Sequence, residues 1–142
     1  MKDEIRIEKL KNYLVNVINE LVKNKNTKIN ANMLSKNINN YSLDKIPTAS
    51  TVERWVTGGG VYKEVFSFRS RKEYSTNEIN NLNNIGFFEK FENIIKSNNM
   101  KGVLPEIKGI QAIECLNTGT MVGVNTNTAE FDIQLQITYR EV

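Results

Sequence analysis

The sequence predicts an α+β protein, with a mainly antiparallel sheet of about four strands and two amphipathic helices packed on one of its faces. Three observations carry that prediction. Apolar residues recur at helical spacing in two separated segments, 4–25 and 74–97. They alternate with period two in two others, 61–71 and 129–139. The strand-like segments toward the end of the chain are joined by short polar turns, which favour antiparallel pairing, and two amphipathic helices can then cover one face.

The first segment places Ile7, Leu10, Leu14, Val17, Ile18 and Leu21 on one helical stripe, with Lys, Asn and Glu between them. Asn24 to Asn26 dissolves this pattern into a polar turn. Residues 27–47 read two ways: Ile29, Met33, Leu34 and Ile38 suit a second short helix, while "YSLDKI" alternates weakly like a strand. Pro47 closes that region, because it has no N–H to give a ladder and restricts the residue before it. In residues 61–71, Tyr62, Phe66 and Phe68 point one way and Val65, Ser67, Arg69 and Arg71 the other, the pattern of a strand.

Ser75-Thr76-Asn77-Glu78 then forms a capping-box pattern, in which Ser75 can satisfy an early helix N–H and Glu78 can reach back. Ile79, Leu82, Ile85, Phe88, Phe91 and Ile95 follow at spacings of three and four, interrupted by Gly86, as the core stripe of a helix. "MKGVLPEIKG" is a connector, "IQAIECL" a short strand and "MVGV" a further possible strand between the turns "NTGT" and "NTNT". In the last segment Ala129, Phe131, Ile133, Leu135, Ile137 and Tyr139 face inward. Glu130, Asp132, Gln134, Gln136 and Thr138 face out, giving a strand with one wet face. No repeat, low-complexity tract or linker divides the chain, so residues 1–142 read as one domain.

Composition narrows the function. The chain carries a net charge of +3 with 25% charged residues, and basic and acidic side chains are mixed almost throughout, unlike the clustered patch of a dedicated nucleic-acid binder. No apolar run approaches the roughly 20 residues of a membrane span. The first residues hold acids and lack the apolar core of a signal peptide, so the sequence predicts a cytosolic protein. There is no histidine, which removes Ser-His-Asp and Cys-His nucleophile systems and every imidazole metal site. The single cysteine, Cys115, lies in an alternating apolar run and reads as a buried small hydrophobe. No cofactor is expected.

Gly58-Gly59-Gly60 raises the prospect of a phosphate cradle. A P-loop needs Gly-x-x-x-x-Gly-Lys-Ser/Thr leading into a helix, whereas these glycines precede a strand and no Lys-Ser/Thr follows. They read instead as a tight reversal. Aspartate occurs only at positions 3, 44 and 132, without metal-binding spacing, and Glu89 and Glu92 stand among lysines. No general acid–base pair emerges. Arg69 and Arg71 share one strand face, with Lys72 beside them: such a row can contact phosphate, form ion pairs across a subunit interface or serve as solubilising charge. Trp55 reads as an anchor in the core or at an interface.

From residue 41 onward the chain resembles a family of small phage and prophage proteins labelled minor capsid or tail-completion proteins, similar in organisation to tail terminators. The most specific pieces are "FSFRSR" (66–71), "GFFEKF" (86–91) and "FDIQLQITY" (131–139), in matching order. The loop "LNTGTMVGVNTNT" and the first forty residues depart from the family pattern. The resemblance implies a structural protein without catalysis. Tail terminators form a ring, usually hexameric, on the end of a tail tube, stop its polymerisation and offer the head-joining proteins a docking surface. Related proteins form the collar of contractile, headless tail-like bacteriocins.

The partners implied are further copies of the chain, tail tube and sheath proteins and head-completion proteins, with DNA only as passing cargo and no membrane. Assembly would take place in the bacterial cytoplasm. Trp55, Arg69, Arg71 and Lys72 are the candidates for a subunit interface or ring lumen. The alternative is a nucleic-acid-binding module using Arg69, Arg71 and Lys72.

Overall fold

The computed structural model describes residues 6–22, 29–31, 40–47, 51–56, 58–73, 78–117, 119–124 and 128–141. Nine elements follow in order: α1 (Arg6–Val22), β1 (Ile29–Ala31), β2 (Asn40–Ile46), β3 (Thr51–Arg54), β4 (Gly60–Glu73), α2 (Glu78–Lys101), β5 (Ile110–Cys115), β6 (Thr120–Val124) and β7 (Thr128–Glu141). The class is α+β, as the two periodicities predict.

The sheet is built around β4 and β7, which pair antiparallel over the whole of both strands, from Gly60↔Glu141 to Glu73↔Thr128. Fourteen paired residues make a ribbon about 45 Å long. β2 and β3 both flank β4, and β5 and β6 both flank β7. Each flanking pair behaves as one long strand interrupted midway. Ile46 sits opposite Val65 and Thr51 opposite Tyr62; Cys115 sits opposite Leu135 and Thr120 opposite Asp132. In both cases four residues are inserted against two of the central strand. Pro47 marks the first break. The second is tied down by Leu116 N–H donating to the Gln134 carbonyl at 2.7 Å and Gln134 N–H donating to Asn117 Oδ1 at 2.8 Å. β1 adds a short parallel strand outside β2. The sequence reads β4, β5, β6 and β7 separately and leaves β2 ambiguous, and the short strands β1 and β3 bring the described sheet to seven where about four are expected.

Alternation decides which residues enter the core. Phe66 and Phe68 of β4 lie opposite Leu135 and Ile133 of β7, and Leu43 of β2 opposite Phe68, so all five share one face. Against that face pack Leu10, Leu14, Val17 and Ile18 of α1 and Phe88, Phe91 and Ile95 of α2, in one buried cluster. Aromatic rings form its spine: Tyr41 on Phe68 at 5.6 Å, Phe68 on Phe91 at 5.2 Å and Phe88 on Phe131 at 5.0 Å. Each buried ring contributes about 1.5–3 kcal/mol by leaving water, with a smaller gain from ring–ring geometry.

α2 ends in a Schellman motif. Val103 N–H donates to the Asn98 carbonyl at 2.8 Å and Gly102 N–H to the Asn99 carbonyl at 3.4 Å, with Gly102 at φ +78°. Tyr13 Oη of α1 donates to the Val103 carbonyl at 2.9 Å and accepts from Asn98 Nδ2 at 3.1 Å, fastening the helices together where that motif forms.

"YSLDKI" is strand β2, and Ile29 belongs to β1 rather than to a helix. Met33, Leu34, Ile38 and the capping segment Ser75–Asn77 lie outside the described residues, as do the side chains of Ile79, Leu82 and Ile85. The outer face of β7 is half-buried from Glu130 to Thr138 rather than wet. On that same side of the sheet Ser42 and Val65 are buried, and long arginine side chains lie across the ladder.

Candidate functional site

Period two puts Arg69 and Arg71 on the sheet face opposite the helices, together with Ser42 and Asp44 of β2 and Glu130 and Asp132 of β7. The register sets Arg69 between Ser42 and Asp132, and Arg71 opposite Glu130. The guanidinium of Arg69 spans three strands: Nη2 lies 2.8 Å from Asp44 Oδ2 and Nη1 3.8 Å from Glu130 Oε2. Arg71 Nη2 lies 3.5 Å from Glu130 Oε1, and its Nη1 donates to Thr128 Oγ1 at 3.5 Å. Ser67 Oγ donates to Asp132 and Ser42 Oγ to Asp44 Oδ1. Arg69 Nε is buried without an acceptor among the described residues. Two guanidiniums therefore stand among three carboxylates of the same chain, an arrangement that locks strand register and leaves this face with no surplus positive charge.

Lys72 is not beside these arginines. The same alternation sends it to the helix side, where it is buried. Its Nζ lies 2.8 Å from Tyr41 Oη, 3.4 Å from the Phe87 ring centroid and 4.8 Å from that of Tyr41. Burial pushes the ammonium down from 10.5 to about 7. The rings attract the cation, by about 0.5–2 kcal/mol each, against the desolvation that burial imposes. The same burial raises the Tyr41 phenol. Arg69, Arg71 and Lys72 thus cannot form one basic surface.

Trp55 lies at the tip of the β3–β4 hairpin. Its N–H donates to the Gly59 carbonyl at 3.2 Å and its carbonyl accepts from Gly58 N–H at 3.1 Å. Gly58 and Gly59 take φ +94° and +74°, so these glycines make the reversal that their place before a strand suggests. The indole is half-buried outside the main core, with the Arg140 guanidinium 5.3 Å from its ring. The four candidates accordingly fall at three separate places.

Sequence reasoning misses a second ionic cluster. Glu64 has the same parity as Phe66 and is 4% exposed on the helix side. Arg6 of α1 grips it with Nε on Oε1 at 2.7 Å and Nη2 on Oε2 at 3.0 Å, while Lys45 Nζ reaches Oε2 at 2.8 Å. Burial alone would raise this carboxyl; the hydrogen bonds from Arg6 and Lys45 hold it below its usual range. Arg6 also lies 4.6 Å from the Tyr139 ring centroid. The cluster pins the start of α1 to the sheet.

A groove of about 440 Å³ runs between α2 and β5, lined in part by Glu92, Lys96, Asn99, Ile113, Glu114 and Cys115. Two of its polar side chains take backbone donors: Ile113 N–H donates to Asn99 Oδ1 at 3.0 Å and Gly119 N–H to Glu92 Oε2 at 3.3 Å. Burial, and then the nearby Glu92, push the Cys115 thiol up to about 12, so the sulfur is a protonated thiol at neutral pH. Among the described residues no group of three or more His, Cys, Asp and Glu could hold a metal ion, and no helix is long and apolar enough to cross a membrane. No protein-family model matches the chain, and no curated protein matches it significantly.

Proposed function

We propose that the chain is a non-catalytic structural protein of the tail-terminator or collar kind. It assembles into a ring, hexameric by analogy, that caps a tail tube, ends polymerisation and presents a surface to head-joining proteins. It assembles in the bacterial cytoplasm and ends as part of the particle. One observation carries the reading: the three segments of the resemblance form a single packing unit. Phe66 and Phe68 of "FSFRSR", Phe88 and Phe91 of "GFFEKF", and Ile133, Leu135 and Ile137 of "FDIQLQITY" all belong to the one buried cluster. The segments that carry the resemblance thus belong to one packing unit, which is the support the reading draws on.

The arginine face supports this reading over a nucleic-acid-binding module. A phosphate backbone approaching Arg69 and Arg71 would meet Asp44, Glu130 and Asp132 at the same place. Binding would have to displace those carboxylates.

Native mass spectrometry of the purified chain, with electron microscopy of tube protein polymerised with and without it, tests the proposal. Rings and tubes of arrested length are expected. A strict monomer that leaves tube length unchanged would overturn it.

A further inference from the structure

We infer that β6 is an acceptor edge for the β1 strand of a second copy, so that the sheet continues from subunit to subunit. The inference rests on the ring reading and names the surfaces that meet. Its starting point is the uneven treatment of one flank of the sheet. Where β5 runs, α2 lies alongside and guards the outer edge, with Asn99 taking the N–H of Ile113 and Glu92 that of Gly119. Among the described side chains that guard ends at Gly119. Beyond it β6 pairs with β7 on one side only, among the described residues.

An open strand edge exposes a row of backbone donors and acceptors, and proteins ordinarily protect it with charge, proline or a covering element. β6 has no such charge. From Cys115 to Ala129 the sequence holds no charged residue, in a chain where a quarter of all residues are charged, and no other uncharged run is as long. Leu116, Met121 and Val122 stand 46%, 44% and 54% exposed along it. The bulge between Met121 and Gly123 twists the strand without adding charge, and sets the angle at which a further strand would continue.

The opposite flank supplies the occupant. β1 is the outermost strand there and pairs, among the described residues, only with β2. Its Ile29-Asn30-Ala31 is also uncharged, whereas the other strand on that flank, β3, carries Glu53 and Arg54. Placing a charged strand on the apolar β6 edge would desolvate those charges. Placing β1 there desolvates none. Two different edges on opposite flanks make a head-to-tail contact, the kind that closes into a ring and consumes both edges at once.

Two single-edge variants test this, Val122→Lys in β6 and Asn30→Lys in β1, each checked for folding by circular dichroism and read by native mass spectrometry. Each alone is expected to be monomeric. Mixed in equal amounts they are expected to form dimers and nothing larger, since each supplies the edge that the other lacks. Hydrogen exchange on the unmodified chain gives a second readout: amides 29–31 and 120–124 are expected to gain about tenfold protection or more on assembly.

A ring whose 120–124 amides exchange as fast as in the monomer overturns this inference and leaves the ring reading standing. So does a Val122→Lys chain that assembles normally, or a mixture that stays monomeric. A wild-type chain that is monomeric and never caps tubes overturns both.

Discussion

Lys72 and Glu64 show how a single side chain can be placed correctly by parity and hidden by its own charge. Both fall on the alternation that puts Phe66 and Phe68 inward, so period two assigns them to the core, yet a lysine in "RSRKE" reads as surface. Their partners could not be read at all: Arg6 comes from 58 residues before Glu64, and nothing local links the two. The two groups make opposite pH predictions. The folded value of Lys72 is depressed to about 7 from 10.5, so the unfolded chain binds more protons between those values and stability rises with pH there, by about 1.4 kcal/mol per pH unit. Lys72→Met is expected to flatten that rise, as urea denaturation across pH 7 to 10 would register. The folded value of Glu64 is lowered, so its contribution is present above the ordinary carboxyl range and fades as pH falls through it. Glu64→Gln strands Arg6 and Lys45, but these are 30% and 56% exposed and can rehydrate. The expected cost is about 1–3 kcal/mol, below that of a fully buried pair, and a double-mutant cycle with Arg6→Ala measures the shared part.

Elements with strong periodicity were legible to within a few residues. α1, β4, α2 and β7 all follow from spacing, and the hairpin from its glycines. On the flanks β5 reads as a strand, β6 as a possible one and β2 in one of two ways. β1 and β3 are not legible, because they owe their identity to what they lie against. A strand of four or five residues has too little pattern of its own to announce itself. Gly86 within α2 and Gly102 just past its end test the local physics of the helix. A methyl group added at Gly86 or at Gly102 would meet nothing within 4 Å, so packing does not separate them. Backbone conformation does: Gly86 is helical, whereas Gly102 sits at φ +78°. Gly86→Ala is expected to stabilise by about 0.5–1 kcal/mol through lost freedom in the unfolded chain. Gly102→Ala is expected to destabilise by about 1 kcal/mol through strain at the left-handed position. Thermal melts of the two variants should move in opposite directions.

Taken as a molecule, the chain keeps its two ionic clusters on opposite faces of one sheet. Arg69 and Arg71 looked like outward-reaching groups in sequence, and what they touch first is their own neighbours on β2 and β7. The candidate site was thus legible in its residues and not in its contacts, because ion pairing across strands depends on register, which no single segment encodes. A consequence for binding can be measured. Titration with duplex DNA at 50 and 200 mM salt is expected to show weak association without a steep loss between the two; a steep loss would restore the nucleic-acid-binding alternative.

The β4–β7 ribbon also governs how this fold is reached. Phe66 and Leu135 face each other across it, yet they are about seventy residues apart in sequence. Bringing them together means closing a long loop before most of the core exists, an entropic demand that slows folding relative to helical proteins of the same size. The β3–β4 hairpin and α2 can form from local contacts while that closure waits. Folding should then run on the millisecond-to-second scale, limited by docking of the local β6–β7 hairpin onto β4. In the proposed ring, a subunit whose β6–β7 hairpin is not yet docked has no finished edge to offer a neighbour, so assembly would be timed by the completion of each copy's own sheet.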